Sequence, residues 1–416
     1  MLKIVILIFV IVIINIALVS GENCPYPLKY REKGGLYVES EDFHNVDYTH
    51  GYVYASGSKN ETNCLLPCPG PIYKEEHLSK LSYLSKISGT ICFVSSAIIL
   101  KVSSPILNKP PFNKQTLSKM FLALGIFCFT LTDVFYFAVG EKLICPSKHK
   151  YARQSDIGCG ITGVLFQYGS LSAIFWWFSL VLDLFLRSKK IGCSANIEKY
   201  NAIAIQVISI FLTFIPFARY GYGYYVSGIT CWILDEIDTM FFFWIPYIIF
   251  LSLGSIFIIF IAIYIYRISK EQKVNERKGL VSILVKQYLS IIFIWIQFLL
   301  LLGFCGTISL NMDQYNEKMG KYIDCLIEKS DNRLCNLETI PFELEFSVLF
   351  FLRFIGFEIL ILFTILVPNQ TLEIIRSNKT IRKIFRISKH SDNFYRFRDN
   401  EHELSGNINS NKLVLK

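Results

Sequence analysis

The sequence predicts an all-α membrane protein, a bundle of seven transmembrane helices preceded by a short disulfide-containing extracellular segment. Three observations predict it. Of 416 residues, 52% are hydrophobic and only 18% charged, against roughly 25% charged in an ordinary soluble domain. The apolar excess recurs in blocks of about twenty, the length that crosses a bilayer as a helix. Lys and Arg collect in the alternate loops that one orientation would place inside. Together these exclude a soluble enzyme, a disordered scaffold and a repeat solenoid.

The first block has a different reading. Lys3, the apolar run Ile4 to Val19 and the small residues Ser20 and Gly21 have the three-part pattern of a cleaved signal peptide, so residues 1–21 are expected to be an address and not structure. Residues 22–83 then form the extracellular segment and cysteine linker. Spans are expected at Leu84–Ile106, Leu117–Val139, Gly158–Leu186, Tyr200–Ala218, Met240–Tyr266, Leu284–Gly306 and Leu344–Val367, filling a transmembrane domain over 84–367. In the first, Lys86 and Lys101 must snorkel to the interfaces. Residues 368–416 are a cytoplasmic tail. Its Leu372, Ile375, Ile381, Ile384 and Phe385 among basic residues suit an amphipathic helix on the inner leaflet.

With the N-terminus outside, the second inner loop holds Arg187, Lys189, Lys190 and Lys199, and the third holds Arg267, Lys270, Lys273, Arg277 and Lys278. The last outer loop is acid-rich. Lys142, Lys148, Lys150 and Arg153 in the first outer loop run against the rule without reversing it. The net charge of +9 is therefore membrane-facing, and no nucleic-acid partner is needed to explain it.

Eight of the twelve cysteines fall on the oxidising side: Cys24, Cys64, Cys68, Cys145, Cys159, Cys231, Cys325 and Cys335. An even set there reads as disulfides. Cys159, at the outer end of the third span, is placed to pair with Cys231 in the second outer loop. Cys325 and Cys335 would staple the third outer loop as a hairpin. The pairing of the other four stays open. Of three Asn-x-Ser/Thr sequons, only Asn60 is lumenal, so only it is expected to carry glycan.

Charges inside spans are expensive and need partners. Asp133 in the second span and Arg353 and Glu358 in the seventh are the intramembrane polar candidates, with Asp133 and Arg353 one pairing. Asp183 and Arg187 can pair along the third helix. No nucleophile elbow, zinc-protease or P-loop motif is present, and all six histidines lie outside the spans. No enzyme, cofactor or metal is therefore expected. Seven helices with an outside N-terminus is a receptor layout. A channel or transporter would show a continuous polar path or a doubled half, and is the alternative.

Short motifs carry a resemblance to the Frizzled/Smoothened receptor family. The third span reads Ser172-Ala173-Ile174-Phe175-Trp176-Trp177 after Cys159-Gly160; Asn108-Lys109-Pro110-Pro111-Phe112 stands in the first inner loop; Val285-Lys286 closes the sixth helix; and Cys64-Leu65-Leu66-Pro67-Cys68-Pro69 precedes the first helix. The resemblance runs from about Cys64 to Ile375. It implies a plasma-membrane signalling receptor that works by helix rearrangement, with membrane lipids and a cytoplasmic transducer, a heterotrimeric G protein being the candidate, as partners. No ligand is legible.

The sequence departs from the family in three places. Only Cys24, Cys64 and Cys68 stand before the first helix, so the cysteine-rich ligand-binding domain is not among these residues. The tail motif aligns with Gln370-Thr371-Leu372-Glu373-Ile374-Ile375 and lacks its Lys and Trp. The seventh-helix tryptophan of the family's inner latch aligns with Ile365. Lys286 remains a candidate transduction residue as an inner-end cation able to bond helix carbonyls, together with Arg267, Lys270, Lys273, Arg277 and Lys278. Within the receptor class, a cyclic-AMP-type chemoreceptor is the runner-up.

Overall fold

The computed structural model describes residues 24, 26–31, 47–56, 61–70, 75–103, 114–189, 195–224, 230–271, 278–310, 312–329, 335 and 342–366. The proposed signal peptide, Asn60 and the tail beyond Leu366 lie outside them.

Seven long helices stand where the apolar blocks predict them: α1 (Glu75–Ser103), α2 (Lys114–Val139), α3 (Ile157–Ser188), α4 (Ala195–Ala218), α5 (Ile245–Glu271), α6 (Lys278–Leu310) and, last in the chain, α8 (Phe342–Leu366). A further helix, α7 (Met312–Lys329), lies between α6 and α8. Among the described residues, five stretches are long and apolar enough to cross a bilayer: Glu76–Lys101, Leu117–Leu143, Ile157–Ser188, Tyr200–Ala218 and Glu236–Arg267. Several helices outrun their apolar blocks. α1 starts already at Glu75, where Lys80 and Glu76 pair one turn apart at 2.7 Å. The fifth span enters through a single turn at Glu236–Thr239, capped by the Asp235 side chain accepting from the Asp238 amide at 2.8 Å. A π-turn at Met240–Trp244 follows.

α3 is the axial element. It packs on α2, α4, α5 and α6, and Phe175, Trp176 and Trp177 are almost wholly enclosed. Trp176 stacks on Phe121 of α2, ring centroids 4.7 Å apart, and Trp177 donates its indole N–H to the Ile291 carbonyl of α6 at 3.3 Å. The outward faces are apolar. On α4, Ile203, Val207, Phe211 and Phe214 are each more than half exposed. A contiguous apolar face of this kind belongs in lipid, not in water.

One end of the bundle carries a small capping structure. Strands β1 (Lys29–Tyr30), β2 (Tyr54–Ser56) and β3 (Glu61–Leu65) form an antiparallel sheet in the order β1-β3-β2, with Tyr30 opposite Cys64 and Tyr54 opposite Leu65. Strands β4 (Tyr222–Tyr224) and β5 (Cys231–Ile233) form a hairpin with Tyr224 opposite Cys231. Between α6 and α8 the structure corrects one expectation. The expected Cys325–Cys335 bond is present, but residues 312–329, expected as loop, form the amphipathic helix α7. It buries Tyr322, Ile323 and Leu326 against the capping core and leaves Glu317 and Lys321 exposed on its other face.

Candidate functional site

The cap is held covalently. Cys24 is bonded to Cys64, Cys68 to Cys145, Cys159 to Cys231 and Cys325 to Cys335, at sequence separations of 40, 77, 72 and 10 residues. The first two bonds give the pairings that the sequence left open. Cys68–Cys145 ties the residues before α1 to the loop after α2, and Cys159–Cys231 ties the start of α3 to the β4–β5 hairpin. By loop-closure entropy, a separation above seventy residues restricts the unfolded chain by about 4 kcal/mol, and one of ten by about 3 kcal/mol.

Inside this covalent frame sits Arg153, only 4% exposed. Its Nε donates to the Tyr48 carbonyl at 2.7 Å and its Nη1 to the Tyr224 carbonyl at 3.1 Å. The guanidinium lies 4.5 Å from the Tyr48 ring centroid. Burial lowers the pKa of Arg153, with Tyr48, Tyr151 and Asp156 opposing that shift. Tyr151 donates its hydroxyl to the Pro67 carbonyl at 2.6 Å, and burial pushes its pKa above the ordinary tyrosine range. Lys150 pairs with Asp156 at 3.2 Å. Two of the four charges that ran against the sidedness rule are thus held in the cap's own contacts.

Within the bundle, Asp133 of α2 and Arg353 of α8 meet. Arg353 Nη1 lies 3.0 Å from Asp133 Oδ2, with the two side chains 2% and 3% exposed. Ser85 of α1 donates to Asp133 Oδ1 at 2.8 Å, and the guanidinium lies 4.7 Å from the Phe129 ring. The ion contact is not aligned as a hydrogen bond, and Arg353 Nε has no partner among the described residues. Two glycines let the backbones come this close. A Cβ on Gly89 would stand 2.5 Å from the Asp133 Cβ, and one on Gly356 2.5 Å from Cys92 Sγ. The Gly356 amide in turn donates to Cys92 Sγ at 3.0 Å. Glu358 joins none of this: it is half-buried, its Oε2 without a partner among the described residues.

At the far end of the bundle, Arg187 pairs with Asp183 at 3.0 Å, and Arg267 is exposed. Lys270, Lys278 and Lys286 lie on described helix backbone but their side chains do not belong to the described set, and Lys273 and Arg277 fall outside the described residues altogether. The described residues contain no grouping of His, Cys, Asp and Glu that would hold a metal ion.

The model of the Frizzled/Smoothened family membrane region matches residues 72–388. The chain belongs to the Frizzled/Smoothened family. It is 43% identical over 367 residues to "Frizzled/smoothened-like sans CRD protein A" of Dictyostelium discoideum, a match covering 88% of this chain and 64% of that protein. It is 32% identical over 378 residues to protein C of the same series and organism, covering 85% and 71%. "Frizzled and smoothened-like protein A", also from Dictyostelium discoideum, is 29% identical over 355 residues, covering 84% and 57%. The chain therefore spans less than two thirds of the length of the first and third of these relatives. It is a multi-pass membrane protein of this family, and two of these relatives are named "sans CRD".

In this Frizzled-type bundle, the motif at Ser172–Trp177 is packing machinery. Its two tryptophans join α3 to α2 and α6, and Gly254 of α5 abuts the Trp177 ring. Sequence reading missed Arg153, which counted only as an anomalous surface charge. It also missed Gln167, which donates to the Phe242 carbonyl at 3.0 Å and accepts from the Trp232 indole at 2.7 Å. That contact locks β5 and the π-turn onto α3. A glutamine in the middle of an apolar span was the available signal.

Proposed function

We propose that the protein is a cell-surface seven-transmembrane signalling receptor of Frizzled/Smoothened type that works without a cysteine-rich ligand-binding domain. In this reading the disulfide cap faces the outside, Asn60 carries glycan, and the opposite ends of the helices face the cytoplasm and a transducer, with a heterotrimeric G protein as the candidate. The protein makes and breaks no bond. The observation that carries the reading is family membership combined with a cap clamped to the bundle: Cys159–Cys231 fixes the hairpin on α3, and α3 runs from that cap to the Asp183–Arg187 end. Disulfides at one end and basic residues such as Arg187, Lys189 and Arg267 at the other suit an oxidising exterior and a positive interior.

A bundle transmits by changing between two packings, not by bending continuously. Asp133 and Arg353 link α2 to α8 at mid-depth, and Lys286 stands at the far end of α6, where inner contacts must break for a transducer to enter. Dissociation of heterotrimeric G proteins in the host cells tests this, comparing wild type with Lys286→Ala at matched surface levels. Raised basal dissociation in the variant is expected. Silence from both forms at the surface would overturn G-protein coupling.

A further inference from the structure

β1, the residues leading into β2 and the loop between α2 and α3 surround an open cavity of about 650 Å³ at the cap end. That is within the size range of small-molecule sites. Among the described residues the charged side chains lining it are cationic: Lys29, Arg31 and Lys148, with His149 and the rings of Tyr30 and Tyr52 beside them. Arg31 is preorganised. Its Nη2 donates to Asp47 Oδ1 at 3.1 Å and its guanidinium lies 3.5 Å from the Tyr52 ring centroid. Asp47 stands behind the cavity wall, where its other oxygen accepts the Tyr54 hydroxyl at 2.5 Å. His149 Nε2–H donates to the Pro27 carbonyl at 3.2 Å, which fixes that ring too.

Lys29 and Lys148 differ from several lysines of this end, and unlike the exposed Lys142 they line the cavity. Lys80, Lys150 and Lys321 each reach a carboxylate. Lys29 and Lys148 are exposed, and neither pairs with a carboxylate among the described residues. They come from distant parts of the chain, brought together by the Cys24–Cys64 and Cys68–Cys145 bonds. Like charges converging on one concavity repel each other, and a bound anion relieves that repulsion.

We propose that this cavity is a binding site for a small multivalent oxyanion, a compound bearing phosphate or sulfate groups. It names the ligand chemistry of the receptor reading and rests on that reading only for the cavity's exposure to the outside medium. Arg31, held by Asp47 and Tyr52, has its guanidinium N–H groups beyond the Asp47 bond to offer an oxyanion, and the two lysines supply point charges in the same lining.

The test is calorimetric titration of the purified full chain in nanodiscs of zwitterionic lipid, with inorganic tripolyphosphate in one arm and a multiply sulfated disaccharide in the other. One saturable site is expected, its affinity falling steeply with added salt. Lys29→Gln and Lys148→Gln should each weaken it about ten-fold, a charge-assisted hydrogen bond apiece, and the double variant should lose it. Lys29→Arg should retain binding, and Lys80→Gln with Lys142→Gln should leave it unchanged. Both cavity lysines are exposed, and the backbone bond from the Cys68 amide to the Lys148 carbonyl (2.7 Å) does not need the side chain. The relative strength of the two arms separates phosphate from sulfate. No saturable binding in either arm, or an equal loss in the control variant, would overturn the site. Binding without any change in G-protein dissociation would leave the site standing and count against G-protein coupling.

Discussion

The cap and the bundle solve the same problem by different means. The cap is small, with strands of only two to five residues, and its buried core is gathered from distant segments, Ala55, Tyr151, Tyr224 and Leu326 among them. Four disulfides clamp those segments together, as in other small secreted modules. No disulfide joins one bundle helix to another among the described residues. In lipid, burying one apolar helix face against another brings no hydrophobic gain. Its helices are joined instead by close approach at Gly89 and Gly356, by interlocked aromatics on α3, and by the Asp133–Arg353 pair. The cap is therefore a covalent platform. The bundle is held by contacts that can be exchanged, which is what a transmitting element requires.

The sharpest way to break the contrast is to remove one charge. Arg353→Leu should destabilise the detergent-solubilised protein by about 3–5 kcal/mol, because Asp133 is left buried and unpaired. Asp133→Leu combined with Arg353→Leu should recover most of that loss. A double-mutant cycle on thermal unfolding decides it. If the double variant is as unstable as the single, the pair is not the coupling we describe.

Next in size is the cap. Cys159→Ser with Cys231→Ser should lose up to about 4 kcal/mol, and Cys325→Ser with Cys335→Ser about 3 kcal/mol. The loss should be local. Limited proteolysis should open the β4–β5 hairpin in the first variant and the α7 segment in the second, leaving the helices protected. Adding Arg353→Leu to the Cys159/Cys231 variant should give an additive loss if cap and bundle are separately held.

A smaller effect is expected at Gly356→Ala, whose Cβ meets both Cys92 Sγ and the Cys92 carbonyl. About 1–3 kcal/mol of overpacking follows, and Cys92→Ala on that background should return part of it. Smallest is the alkaline response of the cap. Burial holds the Tyr151 and Tyr224 hydroxyls above the ordinary tyrosine pKa, and burial together with the hydrogen bond to Asp47 does so for Tyr54. A raised folded pKa favours the protonated form. The contribution is therefore constant below about pH 10, the unfolded value, and is lost as pH rises above it. Absorbance titration of tyrosinate should show these groups ionising later than those of the unfolded chain.

The helices were legible because a bilayer demands about twenty apolar residues in a row, a pattern that survives without knowledge of tertiary contacts. The Asp133–Arg353 contact was legible for a related reason, since a charge in a span has few places to go. The cap was not. Strands of two to five residues leave little alternation to read. α7 mixes acidic, basic and apolar residues on a helical period, but it lay in a loop expected only to turn back. Arg153 and Lys150 looked like exceptions to sidedness, because their carbonyl and carboxylate partners come from the cap's tertiary fold. The helix boundaries at Glu75 and Leu310 were missed because charged and small polar residues continue a helix beyond the apolar block.

All of this depends on the cap lying outside the cell. Epitope tags placed after Glu22 and at the C-terminus, stained in intact and then permeabilised cells, test it directly. The account predicts that the first tag is labelled in intact cells and the second only after permeabilisation. Labelling of the C-terminal tag in intact cells, with the N-terminal one shielded, would put the disulfides on the reducing side and contradict the receptor reading at its root.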